Sequence, residues 1–451
     1  MENQRTAHNT KVVNLQPKTI GHQLKPSSTS GALSHPAKGL AELAKGVSLS
    51  LLLCLAVAAA SPAASAQEPA GQYKAHYKTI PLKGITPEQA LEQSQSGSTL
   101  PMWTTTVSSK TWFFQTNFKV QSLGAAPSSN ITTNLPTYLF PVILYFLNAS
   151  NQIVYTFDPT VPGPACAGGA TPVTVVQQSP LFNNSGPFMW GNPAVNFGTT
   201  QYIDALQRAS WYPSDKNDQS WHTMFQMVST ASLATNVPYG QWSVVNTPCG
   251  PLGLISESAL ASNAQGIVSY LYQNYGLGGP TSLPVVLFSN IAGYTLDKNN
   301  NIVCCTLGFH SAYSSSGAPV QVYAEAMFDQ TGGYFAGSSD ITPLSHEMAE
   351  AVNDPTVSNG TPDWGHVGQV SGCQGNLEVA DPLTGTQYPA ITLNGYTYHP
   401  QELALVPWFF DTSTGLGWYS TNGTFKSPAV ACYTFNPWIP FSEAVGNGPI
   451  D

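Results

Sequence analysis

The chain has 451 residues, of which 42% are hydrophobic and only 9% are charged, and its formal net charge is −9. Such a length allows one large domain or two ordinary ones with a buried core. The acidic balance argues against nucleic acid and anionic membrane surfaces as partners, and the many glycines and prolines argue against a helical bundle.

Residues 1–66 have the pattern of an export signal with a long basic region. The apolar run VSLSLLLCLAVAAA is short for a membrane span, and Ala64-Ser65-Ala66 is typical of a cleavage site. We therefore predict a secreted or periplasmic protein with no stable membrane span after signal removal. Six of the 15 basic residues and two of the 24 acidic residues lie in this leader. The rest of the chain therefore has 9 basic and 22 acidic residues, which gives it a net charge of −13.

Residues 67–100 are predicted to be an extended lead-in. From 101 to 247 short apolar runs are broken by turn residues, which predicts a β-rich, sandwich-like domain. The clearest strands are TWFFQTNFKV, TYLFPVILYFLNA and QIVYTFDPT, with a turn at NASNQ between the last two. One helix is indicated in TTQYIDALQRASWY, where apolar residues recur at helical spacing.

Residues 248–451 show a different order of elements. The segment SESALASNAQGIVSYLYQNYG is predicted to be an amphipathic helix with Gly276 as its C-cap. Three strands follow, in LPVVLFSNI, NNNIVCCTLGFHSAY and PVQVYAEAMFD, and then a short helix in ITPLSHEMAEAVNDP. The whole chain is thus predicted to be α+β, with the β-rich domain followed by an α/β domain.

The short helix gathers charged residues in a chain that has few of them. Thr342 is the expected N-cap, and Pro355 cannot continue the helix. His346 and Glu350 are four residues apart and project from the same face, with Glu347 one position round. Two ligands on one rigid turn could hold a metal ion, and the neighbouring carboxylate could act as general base. The plainer interpretation is a solvated helix whose charges have no function.

The sequence HEMAE resembles the H-E-x-x-H motif of zincin metallopeptidases, with Glu350 in place of the second histidine. The order of helix, strands and motif helix is also similar to a zincin core. In the gluzincin branch a later glutamate is the third ligand, and an aspartate soon after it orients a histidine. GNLEVADP offers Glu378 and Asp381 for these roles, although their spacing is one residue shorter. The resemblance implies a zinc-like site of His346, Glu350 and Glu378, with Glu347 as catalytic base.

His310, in LGFHSAY, is a further catalytic candidate, because a donor on a neighbouring strand could stabilise a transition-state oxyanion. A packed, hydrogen-bonded histidine is the plainer interpretation. Two glutamates and one histidine form a harder donor set than usual zinc sites, so calcium or manganese remain alternatives to zinc. The expected partner is a peptide or protein substrate.

Six cysteines follow the leader, namely Cys166, Cys249, Cys304, Cys305, Cys373 and Cys432. An even number in an exported chain permits three disulfides, whose connectivity the sequence does not reveal. The adjacent Cys304 and Cys305 are expected to bond to different partners. No C-x-x-C pair is present, which argues against a thiolate zinc site.

A second class of function stays open, a non-enzymatic secreted protein that binds a cell surface or cell-wall polysaccharide and holds a structural metal ion or none. The chain also resembles exported bacterial proteins of unassigned activity, through GTTQYIDALQRASWY, LGFHSAY, SHEMAEAVNDP and NGYTYHPQELA. The two classes differ in the access to the site, because a catalytic ion keeps an open position and a structural ion is closed.

Overall fold

The computed structural model describes residues 75–109, 116–215, 220–314, 318–365, 373–429 and 432. The predicted leader lies outside these ranges, as does the lead-in before residue 75. The described residues belong to one compact unit. None of its helices is both long enough and apolar enough to cross a membrane.

The strands up to residue 247 are β1 (His76–Lys83), β2 (Met102–Ser109), β3 (Thr116–Leu123), β4 (Thr132–Leu147), β5 (Ile153–Phe157), β6 (Ser185–Trp190), β7 (Val195–Thr200), β8 (His222–Thr230), β9 (Leu233–Val237) and β10 (Trp242–Thr247). The later strands are β11 (Gly250–Ser256), β12 (Leu283–Ser289), β13 (Ile291–Leu296), β14 (Ile302–Tyr313), β15 (Gln321–Phe328), β16 (Gly360–Trp364), β17 (Gln374–Asn376), β18 (Ile391–Leu393) and β19 (Tyr396–Tyr398). The α-helices are α1 (Pro87–Gln95), α2 (Pro172–Gln178), α3 (Tyr202–Ser210), α4 (Tyr212–Asp215), α5 (Glu257–Tyr275), α6 (Thr342–Asn353) and α7 (Val406–Phe410).

One mixed sheet of 11 strands dominates the fold, in the order β10-β11-β13-β14-β15-β12-β4-β5, with β1 added to β14 and with β8 and β9 added to β4. β14 runs antiparallel to both β13 and β15, whereas β12 is parallel to β15 and β4. Four two-stranded sheets, β2–β3, β6–β7, β16–β17 and β18–β19, lie outside it. The predicted α+β class is confirmed in its coarse form, since helices accompany one dominant sheet.

The predicted division into a sandwich-like domain at 101–247 and a zincin-like domain at 248–451 is not confirmed. A single sheet contains β4, β8, β9 and β10 from the first range together with β12 and β15 from the second. An apolar run has the same pattern in a sandwich and in a mixed sheet, so the sequence does not reveal which strand is its neighbour. The predicted lead-in also carries regular structure, because it contains β1 and the helix α1.

The helices α5 and α6 lie on opposite faces of this sheet. Side chains alternate along β12, and Val285 and Leu287 belong to the core that includes α6. Val286 and Phe288 belong to the core that includes α5. On β14, Phe309 packs in the α5 core. Because successive residues of a strand face opposite sides of the sheet, the residues directly before and after Phe309 face α6.

The predicted helices form, but one cap differs, and the range 101–247 also contains α2 and α4, which were not predicted. α3 and α5 form as predicted, and Gly276 ends α5 with φ 66°, in the left-handed region that favours glycine. In α6 the N-cap position is Ile341, and Thr342 is already the first helical residue. Thr342 Oγ1 donates instead to the carbonyl of His399, 2.6 Å away.

The disulfide expectation for the adjacent cysteines is wrong. Cys304 and Cys305 are bonded to each other. The other pairs are Cys166–Cys249 and Cys373–Cys432. Since these four cysteines are bonded among themselves, the described part of the chain leaves no other partner for Cys304 or Cys305.

Candidate metal centre

The helix α6 is buried along its whole length, charged residues included. His346 and Glu347 are each 0% exposed and Glu350 is 2% exposed. This excludes the interpretation of α6 as a solvated helix. Ionisable side chains are rarely buried to this extent unless they are paired or coordinate a metal.

The glycine at 308 lets Glu347 lie close against the sheet. A Cβ atom added to Gly308 would lie 2.7 Å from Cγ and 2.9 Å from Oε1 of Glu347. Real Cβ atoms are essentially never this close to other atoms, so any side chain at this position would displace Glu347. Gly308 is two residues before His310 on β14, and both therefore face α6.

A first group of donors joins β14 to α6. His310 Nδ1 lies 3.4 Å from Glu347 Oε2 and 3.5 Å from Glu350 Oε2. On the opposite side of the imidazole, Nε2 lies 3.8 Å from Glu378 Oε2. The ligand atoms of His310, Glu347 and Glu350 all lie within 4.8 Å of one another, which is close enough to hold one metal ion.

A second group joins α6 to the segment after β17. His346 Nε2 lies 3.2 Å from Glu350 Oε2 and 3.4 Å from Asp381 Oδ1. The other oxygen of Glu350, Oε1, accepts a hydrogen bond of 3.1 Å from the backbone N–H of Ala380. The ligand atoms of His346, Glu350 and Asp381 also lie within 4.8 Å of one another. Glu350 is therefore common to both groups.

Gln401 fixes the orientation of the His346 ring. His346 Nδ1 lies 3.1 Å from Gln401 Oε1, and since an amide oxygen only accepts, Nδ1 is the donor. The Gln401 amide nitrogen in turn donates to the carbonyl of Ala380 at 2.5 Å, and its backbone N–H donates to Ser345 Oγ at 2.9 Å. In the neutral imidazole this arrangement leaves the lone pair on Nε2, which faces the carboxylates.

Tyr77, which lies on β1, covers the second group of donors. β1 pairs in parallel with β14, which sets Tyr77 opposite Gly308. The Tyr77 ring stacks on the His346 ring, with centroids 3.5 Å apart and planes 19° apart. Tyr77 is itself buried. The strand that the sequence places in an extended lead-in therefore forms one wall of the site.

Several buried polar atoms of the cluster make no hydrogen bond within the protein. They are His310 Nε2, His346 Nε2, Glu347 Oε1 and Glu378 Oε2. Each buried polar group left in this state costs about 1–3 kcal/mol of folding free energy. A coordinated cation would give these atoms a partner, so the buried histidine and acidic groups could hold a metal ion.

Burial and mutual charge shift the pKa values of the cluster strongly. Burial raises the pKa of Glu347 to about 7 and that of Glu378 well above its usual value. Burial alone would also raise the pKa of Glu350, but the contacts with His346 and His310 outweigh burial and lower it. Burial lowers the pKa of each histidine, yet the surrounding carboxylates outweigh it and raise the pKa well above the usual value. The histidines and carboxylates would therefore share protons, and a bound cation would displace those protons.

All the predicted site residues lie in this one cluster, namely His310, His346, Glu347, Glu350, Glu378 and Asp381. Their predicted roles stay predictions, but their positions differ from the expected layout. Glu378 lies on the far side of His310 and belongs to neither three-residue group. Asp381 lies on the ligand side of His346, whereas the orienting contact comes from Gln401.

Three residues of the site were not predicted from the sequence, namely Tyr77, Gly308 and Gln401. Gly308 lies within a strand of larger residues, two positions before His310. A glycine inside a strand often marks a place where another part of the protein packs closely against the backbone, so this position could have been predicted. Tyr77 and Gln401 carry no such signal, because only the tertiary fold brings them to α6.

Comparison of the chain with protein-family models, with curated proteins and with solved structures found no match. The similarity to zincins therefore stays a resemblance of one short motif and of element order. The function has to be argued from the site itself.

Proposed function

We propose that this protein is a metal-dependent hydrolase that acts on a peptide or protein substrate. The observation that carries the proposal is the set of buried donors on α6 and β14, with His310 Nδ1 within 3.5 Å of both Glu347 and Glu350. His346 and Glu350 would hold the ion, with Glu378 or Asp381 as a further ligand. A bound divalent cation would supply Lewis-acid chemistry, and zinc, calcium and manganese all suit the donor types.

Glu347 has the properties of a general base in this proposal. Burial raises the pKa of its carboxyl to about 7, which suits a group that takes up and returns a proton near neutral pH. Its Oε1 atom makes no hydrogen bond within the protein and is thus free to accept a proton. His310 holds the other oxygen, Oε2, from 3.4 Å.

Burial of the cluster supports a second candidate, a non-enzymatic secreted protein that binds a cell surface or polysaccharide. Each of the six donor residues is at most 3% exposed, and Tyr77 covers His346. A structural ion is enclosed in this way, whereas a catalytic ion keeps a position open to substrate. The hydrolase proposal therefore requires β1 to move aside when substrate binds.

Export is part of both candidates. Three disulfides join the described cysteines, and disulfides persist in oxidising compartments such as the periplasm and the cell exterior. We infer a secreted or periplasmic protein from these bonds together with the signal-like N-terminal sequence.

The test compares Glu347→Gln with Glu402→Gln. Glu402 is equally buried but lies outside the cluster, where Ser420 and Thr424 donate to it. Each variant is assayed for cleavage of a quenched-fluorescent peptide library, for bound metal by mass spectrometry and for its melting temperature. We expect Glu347→Gln to lose about 100-fold or more of the activity, since general bases contribute 10²–10⁴-fold, and Glu402→Gln to retain it.

The outcomes separate the two candidates. Full activity in a folded Glu347→Gln variant contradicts the hydrolase proposal. A wild-type protein that binds metal tightly and cleaves no peptide supports the structural candidate instead. The metal content of the Glu347→Gln variant separates two roles of this glutamate. If the variant retains its metal, the glutamate acts as base, and if the variant loses its metal, the glutamate is a ligand.

A further inference from the structure

One oxygen atom, Glu350 Oε2, faces both histidines of the cluster. It lies 3.5 Å from His310 Nδ1 and 3.2 Å from His346 Nε2. Among the described residues, no group of donors within 4.8 Å of one another contains both histidines. A single ion bound by His310 and His346 together is therefore not what the geometry favours. Two neighbouring positions, with Glu350 common to both, account for the arrangement.

The charge of the cluster also fits two cations. Glu347, Glu350, Glu378 and Asp381 are all buried, and together they carry four negative charges when ionised. One divalent cation leaves half of this charge uncompensated in the protein interior, whereas two divalent cations balance it with both histidines neutral. Uncompensated buried charge is strongly unfavourable.

The donor set has the composition found in binuclear carboxylate centres. Four carboxylates and two histidines are the ligands of di-iron and di-manganese sites in helical bundles. In two-metal hydrolases a similar pair of ions, about 3.5–4 Å apart, binds both the attacking and the leaving oxygen. Here a helix, a strand and the segment after β17 supply the same six side chains. His346 Nε2, which faces Glu350 and Asp381, is buried without a hydrogen bond, as expected of a ligand atom.

We propose that the site is a binuclear metal centre in which Glu350 bridges two divalent cations. His310 and Glu347 bind one ion, and His346 and Asp381 bind the other. The proposal rests on the proposed function, in that both take this cluster as a metal site. Glu347 binds its ion through Oε2, the oxygen that faces His310, and Oε1 is left to accept a proton. Glu378, beside His310, completes the charge balance.

The test is a titration of the metal-stripped protein with Mn²⁺, followed by mass spectrometry and electron paramagnetic resonance. We expect two Mn²⁺ per chain and the spectrum of an exchange-coupled pair. Asp381→Asn should retain one ion and show the hyperfine pattern of an isolated Mn²⁺. The matched control is Asp204→Asn, which removes another buried aspartate in contact with a histidine, His222, at 2.8 Å. This control should bind two ions like the wild type.

One Mn²⁺ per wild-type chain, with the spectrum of an isolated ion, would overturn the binuclear proposal. Because this result needs no variant, the proposal stays testable even where Asp381→Asn fails to fold. Two coupled ions without peptide cleavage would support the binuclear centre and reject the hydrolase. One ion per chain together with peptide cleavage would support the hydrolase and reject the binuclear centre. A wild-type chain that binds no metal would reject both the hydrolase and the binuclear centre.

Discussion

The ring of Tyr77 stacks directly on the ring of His346, with their centroids 3.5 Å apart. This contact joins the first described strand of the chain to the helix that carries His346, Glu347 and Glu350. Tyr77 is in place because β1 pairs with the same half of β14 that carries Gly308 and His310. Access to the donors of His346 therefore depends on how firmly β1 is held.

Replacing Tyr77 should speed the release of a bound ion. In Tyr77→Leu the stacking is lost while an apolar side chain remains, and an aromatic pair contributes about 0.5–1.5 kcal/mol, or up to roughly tenfold in rate. Tyr77→Phe retains the stacking and serves as the control. The measurement is the rate of metal transfer to excess chelator. Equal rates for Tyr77→Leu and wild type would show that β1 does not control access.

Gly308→Ala should disturb the metal centre without touching a ligand. The added methyl group would lie 2.7 Å from Glu347 Cγ, and overpacking of this kind costs about 1–3 kcal/mol. We expect a lower melting temperature and weaker metal binding. Gly266→Ala in α5 is the control, since its Cβ meets nothing within 4 Å and alanine favours a helix. If Gly308→Ala binds metal as tightly as wild type, Glu347 is not held in place by close packing.

Gln401→Leu tests the contact that orients His346. Loss of the acceptor for His346 Nδ1 frees the imidazole to rotate, and lost partners of this kind cost about 10–100-fold in metal affinity. Gln401→Glu keeps an acceptor for His346 Nδ1 but loses the donor to the Ala380 carbonyl, so it should restore only part of the affinity. Competition with a fluorescent chelator measures both variants. Unchanged affinity in Gln401→Leu would assign the contact to packing alone.

The pair of His399 and Asp340 should make stability depend on pH. His399 Nδ1 lies 2.5 Å from Asp340 Oδ2, and this hydrogen bond raises the pKa of His399 above its usual value. A raised histidine pKa gives stability that is fully present below the unfolded pKa of about 6.5 and is lost as pH rises through the folded value.

Urea unfolding of wild type and His399→Gln, at several pH values between about 6 and 9, measures this contribution. We expect the wild type to be the more stable protein at the acidic end and the difference to shrink as pH rises. Because the His399 side chain is 36% exposed to solvent, the effect should be small. A difference that grows with pH would contradict the assignment.

Local patterns in the sequence predicted the motif helix and the side chains that share one of its faces. His346 and Glu350 lie on one face of α6 because they are four residues apart, and the helix ends before Pro355 as expected. The helices α3 and α5 and the strands β4, β12, β14 and β15 are likewise set by local periodicity and turn residues.

Long-range contacts of the fold could not be predicted in this way. Nothing local indicates that β4 joins the sheet of β12, or that Tyr77 reaches His346. The burial of Glu347 is also invisible in the sequence, because it depends on a strand, β14, that packs across the helix and presents a glycine there. The bond between Cys304 and Cys305 was likewise not predicted, because the sequence does not reveal how the cysteines pair.

Elemental mass spectrometry tests most directly whether the cluster on α6 binds metal. The protein is purified without chelator or metal-affinity resin, beside a His346→Gln, Glu350→Gln double variant whose fold is checked by circular dichroism. We expect near-stoichiometric or higher divalent metal in the wild type and little in the double variant. Wild-type protein without metal, even after zinc, manganese and calcium have each been added back, would contradict it.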